Sequence, residues 1–243
     1  MTLMLLDSAS LWYRAYFGMP DTLVSPSGMP VNAIRGFLDM TSRLVVKYQP
    51  NRLVACLEGD WRPSWRVELF PAYKLNRLDE EGEEDEPDTL SPQIPILLEV
   101  LDALGLPLLG VDDYEADDLI ATLSVEQSGP TRIVTGDRDL FQLVDDDRDV
   151  KVVYLAKGVS NHDLVDLKGD ERLTANHQKK LIESSEYAAI APKLVNCATD
   201  VTIPKMIIDL PKSPASMADL MRLKEQYGLG TSIDRVINAF GWS

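Results

Sequence analysis

The 243-residue chain has 45% apolar and 26% charged residues, and 39 acids against 24 bases give a formal charge of −15. The composition is that of an ordinary globular protein, and no apolar run approaches the roughly 18 to 20 residues of a membrane span. The N-terminus lacks the basic leader of a signal peptide, and Cys56 and Cys197, far apart in apolar surroundings, fit thiols in a reducing cytoplasm and make no zinc site with His162 and His177.

The first half alternates short β-like apolar runs with amphipathic helical stretches, the pattern of an α/β fold with a parallel sheet flanked by helices. Leu3 to Leu6 reads as a strand ending on Asp7, with a helix through Ser8 to Phe17. Pro30 precedes a long helical pattern from Val31 to Tyr48, with apolar Ile34, Phe37, Leu38, Leu44 and Val45. Leu53 to Leu57 is a second strand, ending at Glu58. A basic and aromatic stretch follows, then the acidic run 79–88, which reads as a solvated loop. Ser91-Pro92 opens a helix over Ile94 to Leu104, with Pro92 at a tolerated first-turn position. Leu106 to Val111 is a third strand, Tyr114 to Val125 a helix, Arg132 to Val134 a fourth strand and Val150 to Tyr154 a fifth. The tail from Glu171 reads as mostly helical, over Leu173 to Tyr187, Ser216 to Tyr227 and Ser232 to Phe240.

The negative charge is uneven. Residues 79–88 hold eight acids and no base, more than half of the net excess, and 145–149 add a second cluster. The balance therefore does not exclude a nucleic-acid substrate, but it predicts a confined basic track instead of a basic face. Arg62, Arg66, Lys74 and Arg77 supply such a track.

In parallel α/β sheets, ligands collect beyond the carboxyl ends of the strands. Four strands here finish at or near acids: Asp7 after the first; Glu58, then Asp60, after the second; Glu115, Asp117 and Asp118 in YEADD after the third; Asp137 and Asp139 in TGDRD after the fourth. A single acid in such a place is uninformative, because aspartate is a good helix cap. Four groups on one edge would repel each other and raise each other's pKa unless a cation sat among them. A pair of Mg²⁺ ions roughly 4 Å apart takes oxygen ligands and requires several converging carboxylates. These acids therefore read as a metal site.

The same residues resemble the 5′ nuclease family: flap endonucleases, phage 5′ exonucleases and the N-terminal nuclease domain of bacterial DNA polymerase I. The matching pieces are LLDSASLWYRAYF (5–17), GMPVNAIRGFL (28–38), WRVELFPAYKLNR (65–77), YEADDLIATL (114–123) and TGDRDLFQLV (135–144). They lie in the family's order within residues 1–158, and the tail around 189–201 resembles stand-alone actinobacterial flap endonucleases. The resemblance implies a nuclease α/β core over 1–158, with an arch or gateway segment at about 62–90, and a helical C-terminal region over 159–243. It also implies hydrolysis of DNA phosphodiesters at 5′ ends or 5′ flaps with two Mg²⁺ or Mn²⁺ ions, in replication and repair, by a cytoplasmic monomer; RNA/DNA hybrids stay open as substrates.

By position, the resemblance makes Asp7, Glu115, Asp117, Asp118, Asp137 and Asp139 metal ligands or water-bridged acids. The family places Asp directly after the second strand, where this chain has Glu58, so Glu58 and Asp60 both stay open. Tyr73, Lys74 and Arg77 match the family's YKxNR element, where the bases contact the scissile phosphate and the tyrosine could stack on a terminal base. Arg62 and Arg66 join them as nucleic-acid contacts, and Gly28, Asn32 and Gly36 fall where the family passes DNA backbone across a helix N-terminus.

The sequence departs from the family at its helix–two-turn–helix module, which grips duplex DNA. Only the Gly169-Asp170 beginning of its glycine-rich signature is present, before Glu171-Arg172-Leu173. Either the module has been lost, or the sequence joins two segments of a longer protein; a break inside a motif favours the second. Two other functions compete. A PIN-type ribonuclease shares an acidic parallel-sheet site but predicts fewer acids and no YKLNR. A catalytically weak DNA-structure-binding protein would fit Glu58 and the missing module, yet a binder gains nothing from clustered negative charge near phosphate.

Overall fold

The structure, a computed structural model, describes residues 1–79, 82, 85–155, 158–166 and 194–242. The expected helix over Leu173 to Tyr187, the Gly169-Asp170 motif and residues 80, 81, 83 and 84 of the acidic run lie outside the described residues. Six strands form one sheet in the order β3-β2-β1-β4-β5-β6, with β1 (Leu3–Asp7), β2 (Arg52–Cys56), β3 (Leu108–Leu109), β4 (Thr131–Thr135) and β5 (Val150–Tyr154) parallel and β6 (Asp163–Val165) antiparallel to β5. All five residues of β1 are buried, as a central parallel strand covered on both faces requires. Strand order reverses between β1 and its neighbours β2 and β4, and a ligand crevice forms beyond the strand ends at such a switch point.

One face of the sheet is covered by α1 (Ser8–Gly18), α2 (Asn32–Tyr48), α4 (Gln93–Leu104), α6 (Met217–Gln226) and α7 (Gly230–Ala239), and the other by α5 (Ala116–Glu126). A short helix, α3 (Ser64–Leu69), leads into a 3₁₀ turn at Leu75–Arg77. The five apolar positions expected to face inward on α2 are all buried. A Cβ at Gly36 would stand 2.7 Å from Ala15 Cβ, so glycine is what lets α2 approach α1. Among the described residues, no helix is long and apolar enough to cross a membrane.

Three elements differ from the sequence expectation. The third strand shrinks from 106–111 to two residues, because Pro107 has no N–H to donate and the chain turns soon after, at Asp112-Asp113. The start of β2 is instead edged by the tail, where Leu53 N–H donates to Ile208 O (3.0 Å) and Leu210 N–H donates to Asn51 O (2.9 Å). That stretch was read as part of a mostly helical tail, but it is extended. Strand β6, three residues at the sheet edge, carries no alternation long enough to read. Of the two cysteines, both free, Cys56 is buried and Cys197 half-buried.

Candidate active site

The crevice beyond the strand ends is a cleft of about 820 Å³ lined by Asp7, Glu58, Asp60, Tyr73, Lys74, Arg77, Glu115, Asp117, Asp137 and Asp139, among others. Three of the four strand-end groups are thus brought together whole, and the YEADD group contributes Glu115 and Asp117. Each acid is held by local backbone. Asp7 caps α1, accepting from Ser10 N–H (3.1 Å) and from the Thr135 hydroxyl (2.6 Å). The same hydroxyl oxygen accepts from Asp137 N–H (2.8 Å), and Asp137 accepts from Asp139 N–H (2.9 Å), so β1 and the TGDRD turn share one hydrogen-bond chain. Glu58 accepts from Ala116 N–H at the start of α5 (2.9 Å). Gly59 permits this approach: a Cβ there would lie 1.8 Å from Val111 O, and Gly59 N–H and Asp60 N–H both donate to Tyr114 O (3.1 Å each).

Capping does not use up the negative charge of these acids. Burial, then the repulsion of Asp7, Glu58, Asp137 and Glu115, pushes the Asp117 carboxyl well above the usual carboxylate range. Burial raises Asp7 to about 6, against its bonds to Thr135 and Ser10, and raises Glu58 to about 7. Burial and Asp137 raise Asp139. Lys74 is a cation acting against the charge at Asp7, Glu58 and Asp139 alike. Its ammonium donates to Glu115 (2.8 Å) and to Trp61 O (2.9 Å), from a left-handed backbone at φ 51°, a conformation that a non-glycine residue adopts at some cost.

The choice between Glu58 and Asp60 is narrowed here. Both line the cleft, but of the two it is Glu58 that acts on Asp117, while Asp60 accepts from Arg62 N–H (2.9 Å).

Several other expected site residues have different roles. Asp118 is fully buried and absent from the cleft: its carboxylate takes two bonds from Arg66 (2.8 Å each), one from Glu115 N–H (3.2 Å) and one from Ala198 N–H (2.7 Å). With four donors on its two oxygens, it holds α5 in place and has no lone pair left for an ion. Arg66, expected on the nucleic-acid track, is 2% exposed, and its second ion pair reaches Glu115 (3.2 Å). Arg62 braces the gateway, donating to Tyr73 O (2.7 Å) and Pro71 O (2.8 Å). Tyr73 points its hydroxyl at Glu115 (3.0 and 3.2 Å). Asn32 is buried, bridging Tyr16 O, Met19 O and Gln93, and so cannot meet a phosphate. Gly36 serves helix packing, whereas Gly28 sits on an exposed turn at φ +89°, open to an approaching chain.

Of the expected basic track, Lys74 and Arg77 reach the cleft, while Arg62 and Arg66 do not, and other bases join the first two. Lys74, Arg77 and Arg138 line the acidic cleft. Arg14 and Arg43 line an adjoining cleft of about 830 Å³ that shares Ser10, Tyr13 and Gly136 with the first. The sequence signal for Tyr13 and Arg14 was their place about two helical turns beyond Asp7; Arg43, in the middle of α2, gave none.

A divalent cation is the group this donor set implies. Among the described residues, no three acids stand already arranged around one point, because Glu115 is turned to Lys74, Arg66 and Tyr73. The chemistry of the set nevertheless fits a hard cation. It offers oxygen donors from four strand ends, with Asp117 raised by four neighbouring carboxylates and bearing no side-chain hydrogen bond among the described residues.

Residues 2–177 match the family described as 5′-3′ exonuclease, N-terminal resolvase-like domain. The chain is 43% identical to a 5′-3′ exonuclease of Streptomyces coelicolor over 296 aligned positions, covering 96% of this chain and 98% of the relative. That alignment is longer than the chain, so the relative carries residues with no counterpart here. DNA polymerase I of Mycobacterium tuberculosis is 40% identical over 163 residues, 65% of this chain but 17% of that protein. The fold is similar to human GEN1 in complex with Holliday junction DNA (TM-score 0.60, 13% identity, 98% of this chain and 71% of that chain) and to the bacteriophage T5 D15 flap endonuclease with DNA and metal ions (TM-score 0.51, 16% identity, 99% and 94%). With a family match over most of its length and a relative of this identity spanning nearly all of it, the chain belongs to the 5′-3′ exonuclease family.

Proposed function

We propose that the chain is a divalent-metal-dependent 5′ nuclease that hydrolyses phosphodiesters at 5′ ends or 5′ flaps of DNA, using Mg²⁺ or Mn²⁺. The observation that carries this reading is the convergence of Asp7, Glu58, Glu115, Asp117, Asp137 and Asp139 from four strand ends on a cleft that also holds Lys74 and Arg77. A pair of bound cations would activate the attacking water and neutralise charge on the phosphoryl group. Asp7, Asp117 and Glu58, with Asp137 and Asp139, would hold them. Lys74 and Arg77 meet the non-bridging phosphate oxygens, where charge builds as the bond breaks. Tyr73 and Arg66 keep Glu115 oriented, and the basic side chains of the adjoining cleft receive the rest of the strand. The family signature breaks off here after Gly169-Asp170; a chain that lacks the helix–two-turn–helix module would grip duplex DNA more weakly, through fewer phosphate contacts.

The test is incubation with a 5′-flap duplex in Mn²⁺, Mg²⁺ or EDTA, beside Asp137→Ala. Metal-dependent release of a short 5′ product, lost in the variant, is the expected result. Tight binding without cleavage under either metal sinks the enzyme reading and favours a DNA-structure-binding protein. Cleavage restricted to RNA strands favours the ribonuclease reading.

A further inference from the structure

Beyond the cleft, residues 194–201 cross over the elements that carry its acids. They lie past the 2–177 stretch matched by the family. Leu194 and Val201 anchor the two ends, both buried. Between them the backbone is tied to three parts of the site. On α3, Arg66 Nε–H donates to Leu194 O (3.1 Å). On α5, Ala198 N–H donates to Asp118 (2.7 Å), the Thr122 hydroxyl donates to Ala198 O (3.2 Å), and Val201 N–H donates back to that hydroxyl oxygen (3.3 Å). On the 3₁₀ turn Asp139–Leu143, the Gln142 amide donates to Val195 O (2.8 Å) and accepts from Cys197 N–H (3.1 Å).

Arg66 already ties α3 to α5 through Asp118 and Glu115, and this segment joins the 3₁₀ turn to both. Each of the three delivers part of the cleft: α3 leads to Tyr73 and Lys74, α5 carries Asp117 just after Glu115, and the 3₁₀ turn carries Asp139. We propose that residues 194–201 are a clasp that sets the α5 acids against the TGDRD acids, with Gln142 and Thr122 as positioning residues. Asp117 and Asp137 line the one cleft from the two sides of this junction, so the separation of the two groups decides how well they share a cation. Repulsion would widen the junction without a tie, and the clasp supplies that tie from outside the cleft, where no ion or phosphate competes for its bonds. Residues that orient metal-holding acids from behind typically cost about 10- to 100-fold in metal affinity or rate when removed. The inference rests on the proposed nuclease function.

Gln142 is exposed and Thr122 buried on the far side of α5, and neither lines the cleft. Gln142→Ala and Thr122→Val remove the ties, while Thr122→Ser keeps the hydroxyl. Intact proteins are compared by calorimetric Mn²⁺ titration without DNA, by kcat and KM on a 5′-flap duplex, and by melting temperature. In Gln142→Ala and Thr122→Val, the Mn²⁺ dissociation constant is expected to rise about tenfold and kcat to fall about tenfold, with KM within about twofold, and Thr122→Ser to return near wild type. Lowered melting temperatures with unchanged Mn²⁺ affinity and kcat overturn the clasp and leave a structural anchor. If the wild type neither binds Mn²⁺ nor cuts, the proposed function fails, and amide hydrogen exchange decides the clasp. Faster exchange at Glu115–Asp118 and Asp137–Asp139 in Gln142→Ala supports it, and unchanged exchange overturns it.

Discussion

Asp118 grips Arg66 through two parallel bonds of 2.8 Å beneath the acidic cleft, with Asp118 fully buried and Arg66 2% exposed. This planar, bidentate geometry suits a guanidinium and not an ammonium. Removing one partner leaves the other charge buried and uncompensated, which costs about 3 to 5 kcal/mol. Asp118→Asn and Arg66→Ala are each expected to lose stability on that scale in urea titrations, and Arg66→Lys to lose more than half of it. The double variant Arg66→Met with Asp118→Leu should recover part of the loss, since neither charge of the pair is left alone. It should not recover all of it, because Glu115 loses its second cation and the Glu115 and Ala198 N–H groups lose their acceptor. Equal losses for single and double variants would show that the pair contributes nothing specific.

The raised carboxyls make the metal-free protein less stable as the pH rises. In the unfolded chain Asp7 and Glu58 ionise near their ordinary values of 3.8 and 4.5; folded, they ionise near 6 and 7. Between those limits the folded state binds more protons than the unfolded one, so the free energy of unfolding falls with pH. The fall begins above pH 4 and levels off above about pH 7. Two groups moved by about two units each correspond to a few kcal/mol, on the order of 1.4 kcal/mol per unit. Urea titrations in EDTA at pH 5 and pH 8 should show the higher pH to be the less stable, and saturating Mn²⁺ should raise stability at pH 8 far more than at pH 5. Equal stability at both pH values in EDTA would remove the case for buried, mutually repelling acids.

Gly59 separates Glu58 from Asp60 where no side chain fits. An added Cβ would fall 1.8 Å from a backbone oxygen, Val111 O, which cannot yield as a flexible side chain can. Gly59→Ala must push the loop after β2 off the loop after β3, breaking the two bonds to Tyr114 O. The expected outcome is a loss of about 2 kcal/mol or more, together with weaker Mn²⁺ binding because Glu58 moves with the loop. A variant with wild-type melting and wild-type Mn²⁺ affinity would show that the loop has room to spare.

The sheet and the acids at its strand ends were legible because both are local patterns: continuous apolar runs for buried parallel strands, and acids at the end of each run or in the loop that follows it. Asp7, Glu58, Asp117, Asp137 and Asp139 all reach the cleft for that reason. What the sequence could not show is which way a side chain turns. In YEADD, Glu115 and Asp118 share a helix face by spacing, yet one faces the cleft and the other a buried arginine. Arg66 looked like part of a basic track because its partners are distant in sequence, at Asp118 and Leu194. The same distance hid the clasp, whose bonds join positions 118, 122 and 142 to 195–201, and left the two-residue β3 and the extended 208–210 segment unread.

Lys74 is the last test of the site. It acts against negative charge at three of the acids and is bonded to a fourth, Glu115, in the ion pair of 2.8 Å. On the proposed function, Lys74→Ala removes a donor for the developing phosphoryl charge, a change worth about 10²- to 10³-fold in kcat for comparable donors. The ion pair is largely buried, its side chains 17% and 6% exposed, so melting should fall too, and rates are compared well below the melting temperature of the variant. The same loss leaves Asp7, Glu58 and Asp139 with less opposing charge, so the pH at which activity rises should move upward. Lys74→Arg should restore the charge but not the fit to Trp61 O and Glu115, and so recover the pH profile more fully than kcat. Single-turnover rates from pH 5.5 to 9 on a flap duplex separate the two effects. A Lys74→Ala variant with a lowered rate and an unmoved pH profile would confine Lys74 to the phosphate and free the acids from its influence.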